Sequence, residues 1–449
     1  AKIIKLEKNY RSTGNILEAA SHLISHNKSR LGKTLWTDDE MGNTLNIRTV
    51  YDGQEEARAI GEEIEAYHRK NNSLNKIAIL VRASFQTRNF EERFLKIGLP
   101  YQVIGGLRFY ERSEIRDAIA YLRLTHSSDD QLAFERIINK PKRGLGDATL
   151  NIIEKYARSM NINLESSSRR LIETDEISNK ARSSIRIFFK NIDRWREESK
   201  NTKLNELLEI ILEESGYIDM LKKDRSIEAP GRLDNLKELV NAINEFDSLS
   251  NFLEHIQLVM DGASNDSNET AKIMTLHSAK GLEFPIVFLP GWEDGLFPNQ
   301  RAIDENGSEG LEEERRLAYV GITRARQEVW IYNASSRLTH GQWVDCLPSR
   351  FLNELPKKNI NEMSSFNEHN TNFPSSYASA WRNNNNYKKN INLLNNRIEN
   401  NKNNFALKER VFHQKFGYGI IVDIDEDKVT IDFEKSDIKK LLINFIEKV

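Results

Sequence analysis

The sequence has a single cysteine, Cys346, in 449 residues. That excludes an internal disulfide, a cysteine-rich zinc site and an iron–sulfur cluster held within the chain, and it fits a reducing, cytoplasmic setting. Proline is scarce while Asn and Ile are plentiful, a compositional bias that points to no function. No run of 18 apolar residues and no signal peptide is present, so neither membrane insertion nor export is expected. The formal net charge is −2. With no global excess of either sign, any nucleic-acid surface must be a local patch. The phosphate-cradling pattern G-x-x-x-x-G-K-[ST] is also missing. The nearest approach, residues 27–34, ends in Gly32-Lys33-Thr34 but has Asn27 in place of the first glycine and follows a helical stretch rather than a strand. Asp38-Asp39-Glu40 lacks the apolar strand that a magnesium-binding acid would terminate.

What is present suits a soluble chain of two or three domains, with 39% hydrophobic and 29% charged residues. Residues 47–51, 76–81 and 101–104 read as strands, and residues 54–69 and 85–97 as helices. That alternation predicts a parallel sheet with crossover helices. It returns at residues 273–332, so residues 1–108 and 269–356 are joined as one discontinuous α/β domain. Residues 109–268 read almost wholly as helices and are taken as an inserted helical domain. Residues 357–405 are rich in Asn with few apolar anchors, the composition of a disordered tether. In residues 406–449, short apolar clusters at 411–413, 419–422, 429–433 and 441–445 predict a small SH3-like barrel.

Two stretches carry polar groups where a core element would be apolar. Thr275-Leu276-His277-Ser278-Ala279-Lys280-Gly281-Leu282-Glu283-Phe284-Pro285 reads as a loop between strands at 272–276 and 284–289. It can present donors, a cation and an acceptor from one rigid base. In Glu312-Glu313-Glu314-Arg315-Arg316-Leu317-Ala318-Tyr319-Val320-Gly321-Ile322-Thr323-Arg324-Ala325, the residues Leu317, Val320, Gly321 and Arg324 fall on one helical face. An arginine on a buried face is costly unless an anion meets it.

These stretches resemble motifs V and VI of the superfamily 1 helicases of the UvrD/PcrA/Rep type. Leu6-Glu7-Lys8-Asn9-Tyr10-Arg11-Ser12-Thr13 resembles motif IV, and Gly105-Gly106-Leu107-Arg108-Phe109-Tyr110-Glu111-Arg112 resembles motif IVa. The resemblance covers residues 2–356, with a weaker match at the C-terminus. It implies a RecA-like second helicase core domain, of the P-loop-NTPase type, with a mobile helical insert and a Tudor-like tail module. Motif IV opens the chain and the phosphate loop is missing, so the expectation is the C-terminal part of a longer helicase, or of a split gene.

The resemblance also assigns roles. Arg11 and Arg324 are expected on the γ-phosphate of ATP, whose Mg2+ ligands would lie on a missing N-terminal helicase half. Tyr10 is expected to stack on adenine, and Glu283 to accept from the ribose hydroxyls. The plainer alternatives are a surface cation for Arg11, an ion pair with Glu312, Glu313 or Glu314 for Arg324, a core aromatic for Tyr10 and a solvated carboxylate for Glu283. His277, Ser278 and Lys280 are expected on single-stranded DNA. Lys140-Pro141-Lys142-Arg143-Gly144-Leu145-Gly146-Asp147 looks like a helix-hairpin-helix turn. There Lys142, Arg143, Gly144 and Gly146 would meet duplex phosphates, although such glycine pairs are often simple turns. Arg108 is either a ligand contact or part of a glycine hinge. His340, beside Gly341, falls where relatives place an aromatic strand-separating tip. The function implied is ATP-dependent 3′-to-5′ DNA unwinding in repair. Its partners would be single-stranded and duplex-junction DNA, excision- or mismatch-repair proteins, and RNA polymerase through the tail, with no membrane. The alternative is a non-catalytic DNA- or polymerase-binding remnant.

Overall fold

The computed structural model describes residues 9–28, 36–37, 40–226, 228–261, 269–339, 342–364, 407, 409–413, 417–425, 428–433, 438–442 and 446–448. The chain divides into two compact units, Ala1–Pro141 with Asn191–Asn367, and Lys142–Lys190 with Glu368–Val449.

The first unit is built on a seven-stranded, all-parallel sheet. Its strands are β1 (Leu45–Val50), β2 (Ile77–Val81), β3 (Tyr101–Ile104), β4 (Ala271–Thr275), β5 (Phe284–Leu289), β6 (Ala325–Ala334) and, beyond a hairpin of β7 (Ser336–Thr339) and β8 (Gln342–Asp345), β9 (Ile360–Ser364). The order is β3-β4-β2-β5-β6-β1-β9. β2, Ile77-Ala78-Ile79-Leu80-Val81, is buried at every position, as a parallel strand covered on both faces must be. One face packs Leu80, Met274, Val287 and Ile331 against the helices Gly14–Ser25 and Gln300–Ile322. The other packs Ile79, Ile273 and Phe288 against the helices Gly53–Arg69 and Thr87–Ile97.

Part of residues 357–405, the stretch expected to be a tether, forms a strand. Ile360–Ser364 pairs in parallel with β1, Leu45 opposite Ile360, and completes the sheet edge. Residues 365–405 lie outside the described residues.

Between β3 and β4 the described chain is helical, from Ser113–His126 through Leu249–Asp261. Arg112 donates from Nη1 to Asn235 (2.9 Å) and from Nη2 to Thr87 (2.9 Å), and Arg88 pairs with Glu238 (2.7 Å). These buried bonds tie the flanking helices into the first unit. No helix of the described residues is long and apolar enough to cross a membrane.

The second unit holds the helices Asp147–Met160 and Leu164–Leu171 and a five-stranded antiparallel sheet. Its strands are β10 (Arg410–His413), β11 (Gly417–Asp425), β12 (Lys428–Phe433), β13 (Lys439–Leu442) and β14 (Ile446–Lys448), in the order β13-β12-β11-β10-β14. Alternate residues Val429, Ile431 and Phe433 point into one core with Val411, Ile421, Leu441 and Ile446.

Candidate functional site

All seven strands run the same way, so the sheet has one set of N-terminal ends and one of C-terminal ends. The stretches singled out in the sequence gather at both.

At the N-terminal ends of β5 and β6 sit Arg11, Glu283, Arg324 and Arg326. Asn9 folds the first loop back on itself, accepting from Arg11 N (2.7 Å) and Ser12 N (3.0 Å). Ser12 then donates to the carbonyl of Ala325 (2.7 Å), and Thr13 N to that of Arg326 (3.2 Å). The loop is thereby pinned to the start of β6. Arg11 donates from Nε to Glu283 Oε2 (2.5 Å), and Arg326 reaches the other oxygen of the same carboxylate. Arg11 is thus half-buried and paired, and Glu283 bridges two guanidiniums. The hydrogen bond from Arg11, then that from Arg326, holds the Glu283 carboxyl below the usual range. Tyr10 is 78% exposed, which excludes the core-aromatic alternative.

Arg324 does not lie on a helical face as the spacing predicted. The helix ends at Ile322 with Thr323 as its C-cap, and Arg324 occupies the turn into β6. Its Nε donates to Val320 O (3.1 Å), Nη1 to Leu282 O (3.0 Å) and Nη2 to Thr323 Oγ1 (3.4 Å). It caps the helix in the way arginines near a C-terminus do. It is 9% exposed, and no carboxylate among the described residues forms an ion pair with it. The acids once open as its partners are engaged elsewhere. Glu314 takes Arg82 at 2.5 Å, and Glu312 and Glu313 take Arg316. Burial, then the neighbouring Arg11, push the Arg324 pKa down. A desolvated cation without a counter-charge is an unmet demand for an anion.

At the C-terminal ends of β2, β3 and β4 lies the second group. Ser278 is held by Thr275, whose Oγ1 accepts from Ser278 N (3.2 Å) and lies 3.0 Å from its hydroxyl. Gly105, at φ +79°, lets the turn after β3 close on it, since a Cβ there would lie 2.7 Å from Ser278 Oγ. His277 and Lys280 are exposed beside it. Desolvation first, and the Arg82 guanidinium second, hold the His277 imidazole below its usual pKa, although the residue as a whole is exposed. Arg82, at the end of β2, went unnoticed in the sequence. Its signal was a cation directly after a fully apolar strand.

Residues 276–283 join these two groups. They leave β4 at its C-terminal end and enter β5 at its N-terminal end, past the intervening β2. Eight residues thus cover a strand length of about 16 Å. Leu276 and Ala279 anchor the crossing in the core. Gly321 fits closely over it, since a Cβ there would lie 2.7 Å from Leu276 Cδ2.

Gly144 has φ +73°, Leu145 is buried and Gly146 caps the helix Asp147–Met160, as a phosphate-approaching turn would require. The positive charge expected around that turn is partly spoken for. Lys140 pairs with Asp117 (3.1 Å), and the Arg143 guanidinium lies 4.9 Å over the Phe188 ring, while Lys142 is exposed. Arg108 lies 5.5 Å over the Tyr101 ring. His340 and Gly341 lie outside the described residues; the hairpin strands β7 and β8 that lead to them are antiparallel, Thr339 opposite Gln342.

The parallel α/β sheet thus carries arginines at one set of strand ends and a polar loop at the other. The UvrD-like helicase C-terminal domain family matches residues 4–336. Over 83% of its length the chain is 48% identical to the probable DNA helicase II homolog of Rickettsia conorii, covering 57% of that protein. It is 36% identical to DNA helicase II of Escherichia coli K12 over 98% of its length, covering 61% of it, and 35% identical to ATP-dependent DNA helicase PcrA of Staphylococcus epidermidis over 99%, covering 62%. The chain therefore spans about three fifths of the curated relatives it matches. It belongs to the UvrD-like helicase C-terminal domain family.

Proposed function

We propose that this chain is the arginine-supplying part of an ATP-dependent 3′-to-5′ DNA helicase acting in repair, working with a phosphate-loop domain. The observation that carries the reading is Arg324, a desolvated guanidinium beside Arg11 that forms no ion pair with a carboxylate among the described residues. The donor set fits a polyphosphate. Arg11 and Arg324 would hold the γ-phosphate, the exposed Tyr10 the adenine ring and Glu283 the ribose hydroxyls, while the Mg2+ ligands sit on the N-terminal helicase half. ATP supplies a phosphoryl group whose transfer depends mainly on charge stabilisation. Arg11 must leave Glu283 to reach it, which frees the carboxylate for its own contact.

At the opposite strand ends, His277, Ser278 and Lys280 grip the single-strand backbone through donors and charge rather than base edges. Residues 276–283 belong to both ends, so a shift of Glu283 on one side is felt at Ser278 on the other. Lys142, Arg143, Gly144 and Gly146 meet duplex phosphates through backbone amides and a helix N-terminus. The C-terminal five-stranded sheet is read as a Tudor/SH3-like module for RNA polymerase, and His340 as the strand-separating tip.

The test is ATP hydrolysis stimulated by single-stranded DNA. The expected result is activity when this chain is mixed with a separately purified phosphate-loop half, and none with this chain alone. An inactive mixture of two pieces that demonstrably bind each other would contradict the motor and leave a non-catalytic DNA- or polymerase-binding module.

A further inference from the structure

A cleft of 1070 Å³ opens beside the edge strand β3. It is walled by the helices Gly53–Arg69, Thr87–Ile97 and Leu249–Asp261. Three of its lining residues bear a buried polar atom with no hydrogen-bond partner: Arg93 Nε, Tyr101 Oη and His255 Nε2. Tyr101 is only 8% exposed. Leaving a buried donor unmet costs stability, so three in one cleft call for an explanation.

The charges of the cleft are unequally engaged. Its carboxylates have partners. Asp52 caps its helix through Gln54 N (2.9 Å) and Glu55 N (2.8 Å). Glu55 accepts from Tyr51 N (2.7 Å) and pairs with Arg58 (3.3 Å). Glu92 takes the Tyr110 hydroxyl (2.6 Å) and Arg88 (2.9 Å), with His255 Nε2 at 4.0 Å, and Glu245 takes Arg88 (3.5 Å). Among the described residues Arg93 and Lys96 have no ion pair. The Arg93 stem is held in place across Gly61, where a Cβ would lie 3.5 Å from Cγ and from Nε. A second guanidinium, that of Arg108, lies over the Tyr101 ring. Burial pushes the Tyr101 phenol well up, so it stays a donor at any physiological pH. Leu99, Leu258 and Val259 give the cleft an apolar side, and its volume exceeds that of a lone phosphate.

We propose that this cleft is a second anion site, taking a phosphate group through Arg93 and the Tyr101 hydroxyl, with room beside it for the organic body of a phosphomonoester. The site is independent of the proposed nucleotide contacts at Arg11 and Arg324.

The test is calorimetric titration of the full chain with inorganic phosphate, AMP and adenosine, with thermal unfolding beside it. The expected result is that phosphate and AMP bind and raise the unfolding temperature while adenosine does not. Tighter binding of AMP would identify an organic phosphomonoester as the ligand, and equal affinities free phosphate. Arg93→Gln and Tyr101→Phe should each weaken binding about tenfold, the scale of a charge-assisted hydrogen bond. Tyr101→Phe should leave the ligand-free unfolding temperature unchanged or higher, because the hydroxyl it removes has no partner. Arg11→Ala should leave this binding intact. No binding of phosphate or AMP, binding indifferent to both cleft variants, or binding lost in Arg11→Ala would overturn the proposal.

Discussion

Replacing Arg324 with alanine is expected to lower DNA-stimulated ATP hydrolysis by the assembled helicase about 10³- to 10⁵-fold, the usual worth of an arginine at a transferring phosphoryl group. The expectation rests on geometry. The guanidinium is held at three points, by Val320 O, Leu282 O and Thr323 Oγ1, and no carboxylate among the described residues forms an ion pair with it. It is therefore aimed before the phosphate arrives. Lysine keeps the charge but not the planar fork, and cannot satisfy the two carbonyls together, so Arg324→Lys should recover little. Arg11→Ala should lose activity on the same scale. It removes the second cation proposed for the γ-phosphate and leaves Glu283 with Arg326 alone. Steady-state kinetics on the mixture checks both, with urea unfolding to confirm that the α/β unit still folds. A loss under tenfold in Arg324→Ala would remove this residue from the chemistry.

The largest effect on stability is expected at Arg337, far from those groups. Arg337 lies between two carboxylates that are almost fully buried, Glu56 at 2.9 Å and Glu293 at 2.5 Å. Glu56 also accepts from Gly291 N (2.8 Å), and Glu293 from Ala334 N (2.7 Å), so the cluster ties the helix Gly53–Arg69 to the ends of β5 and β6. Arg337→Met strands two negative charges in a dry site, and the cost should be about 3–5 kcal/mol. The loss should also depend on pH. Burial is the largest influence on Glu56 and raises its pKa, against the opposing pull of Arg337. A carboxyl whose folded pKa lies above its unfolded one favours the folded state at low pH, and that contribution is lost as pH rises through the folded value. Removing Arg337 moves the folded value higher still. The variant should therefore be closest to the wild type near pH 5 and furthest from it near pH 8. Urea unfolding across that range decides the matter, and a deficit independent of pH would mean the carboxylates are not what the arginine holds in place.

Much of the sheet was legible in the sequence because parallel strands write themselves as unbroken apolar runs. Ile77–Val81 and Phe284–Leu289 are such runs, and the structure has strands there. β9 was missed because Ile360-Asn361-Glu362-Met363-Ser364 is half polar, as an edge strand with one partner can be. The loop residues His277, Ser278, Lys280 and Glu283 were legible because polar side chains crowd between two apolar runs. What periodicity could not supply was which charge meets which. It put Arg324 on a helix that ends two residues earlier, since spacing alone does not reveal a C-cap. It offered Glu314 to Arg324, whereas the strand order brings Arg82 there instead. Arg326 and the Glu56–Arg337–Glu293 cluster join residues up to 281 positions apart, and only the fold makes them neighbours.

On the proposed function, residues 276–283 carry one state from the nucleotide end of the sheet to the DNA end. The decisive experiment is the affinity of the mixture for single-stranded DNA, with and without a non-hydrolysable ATP analogue, in the wild type and in Glu283→Gln. Linkage requires that the analogue change DNA affinity by the factor by which DNA changes analogue affinity. A coupling of about five- to 150-fold is expected in the wild type. In Glu283→Gln it should collapse toward unity while DNA still binds without nucleotide. Undiminished coupling in that variant would contradict that role for residues 276–283.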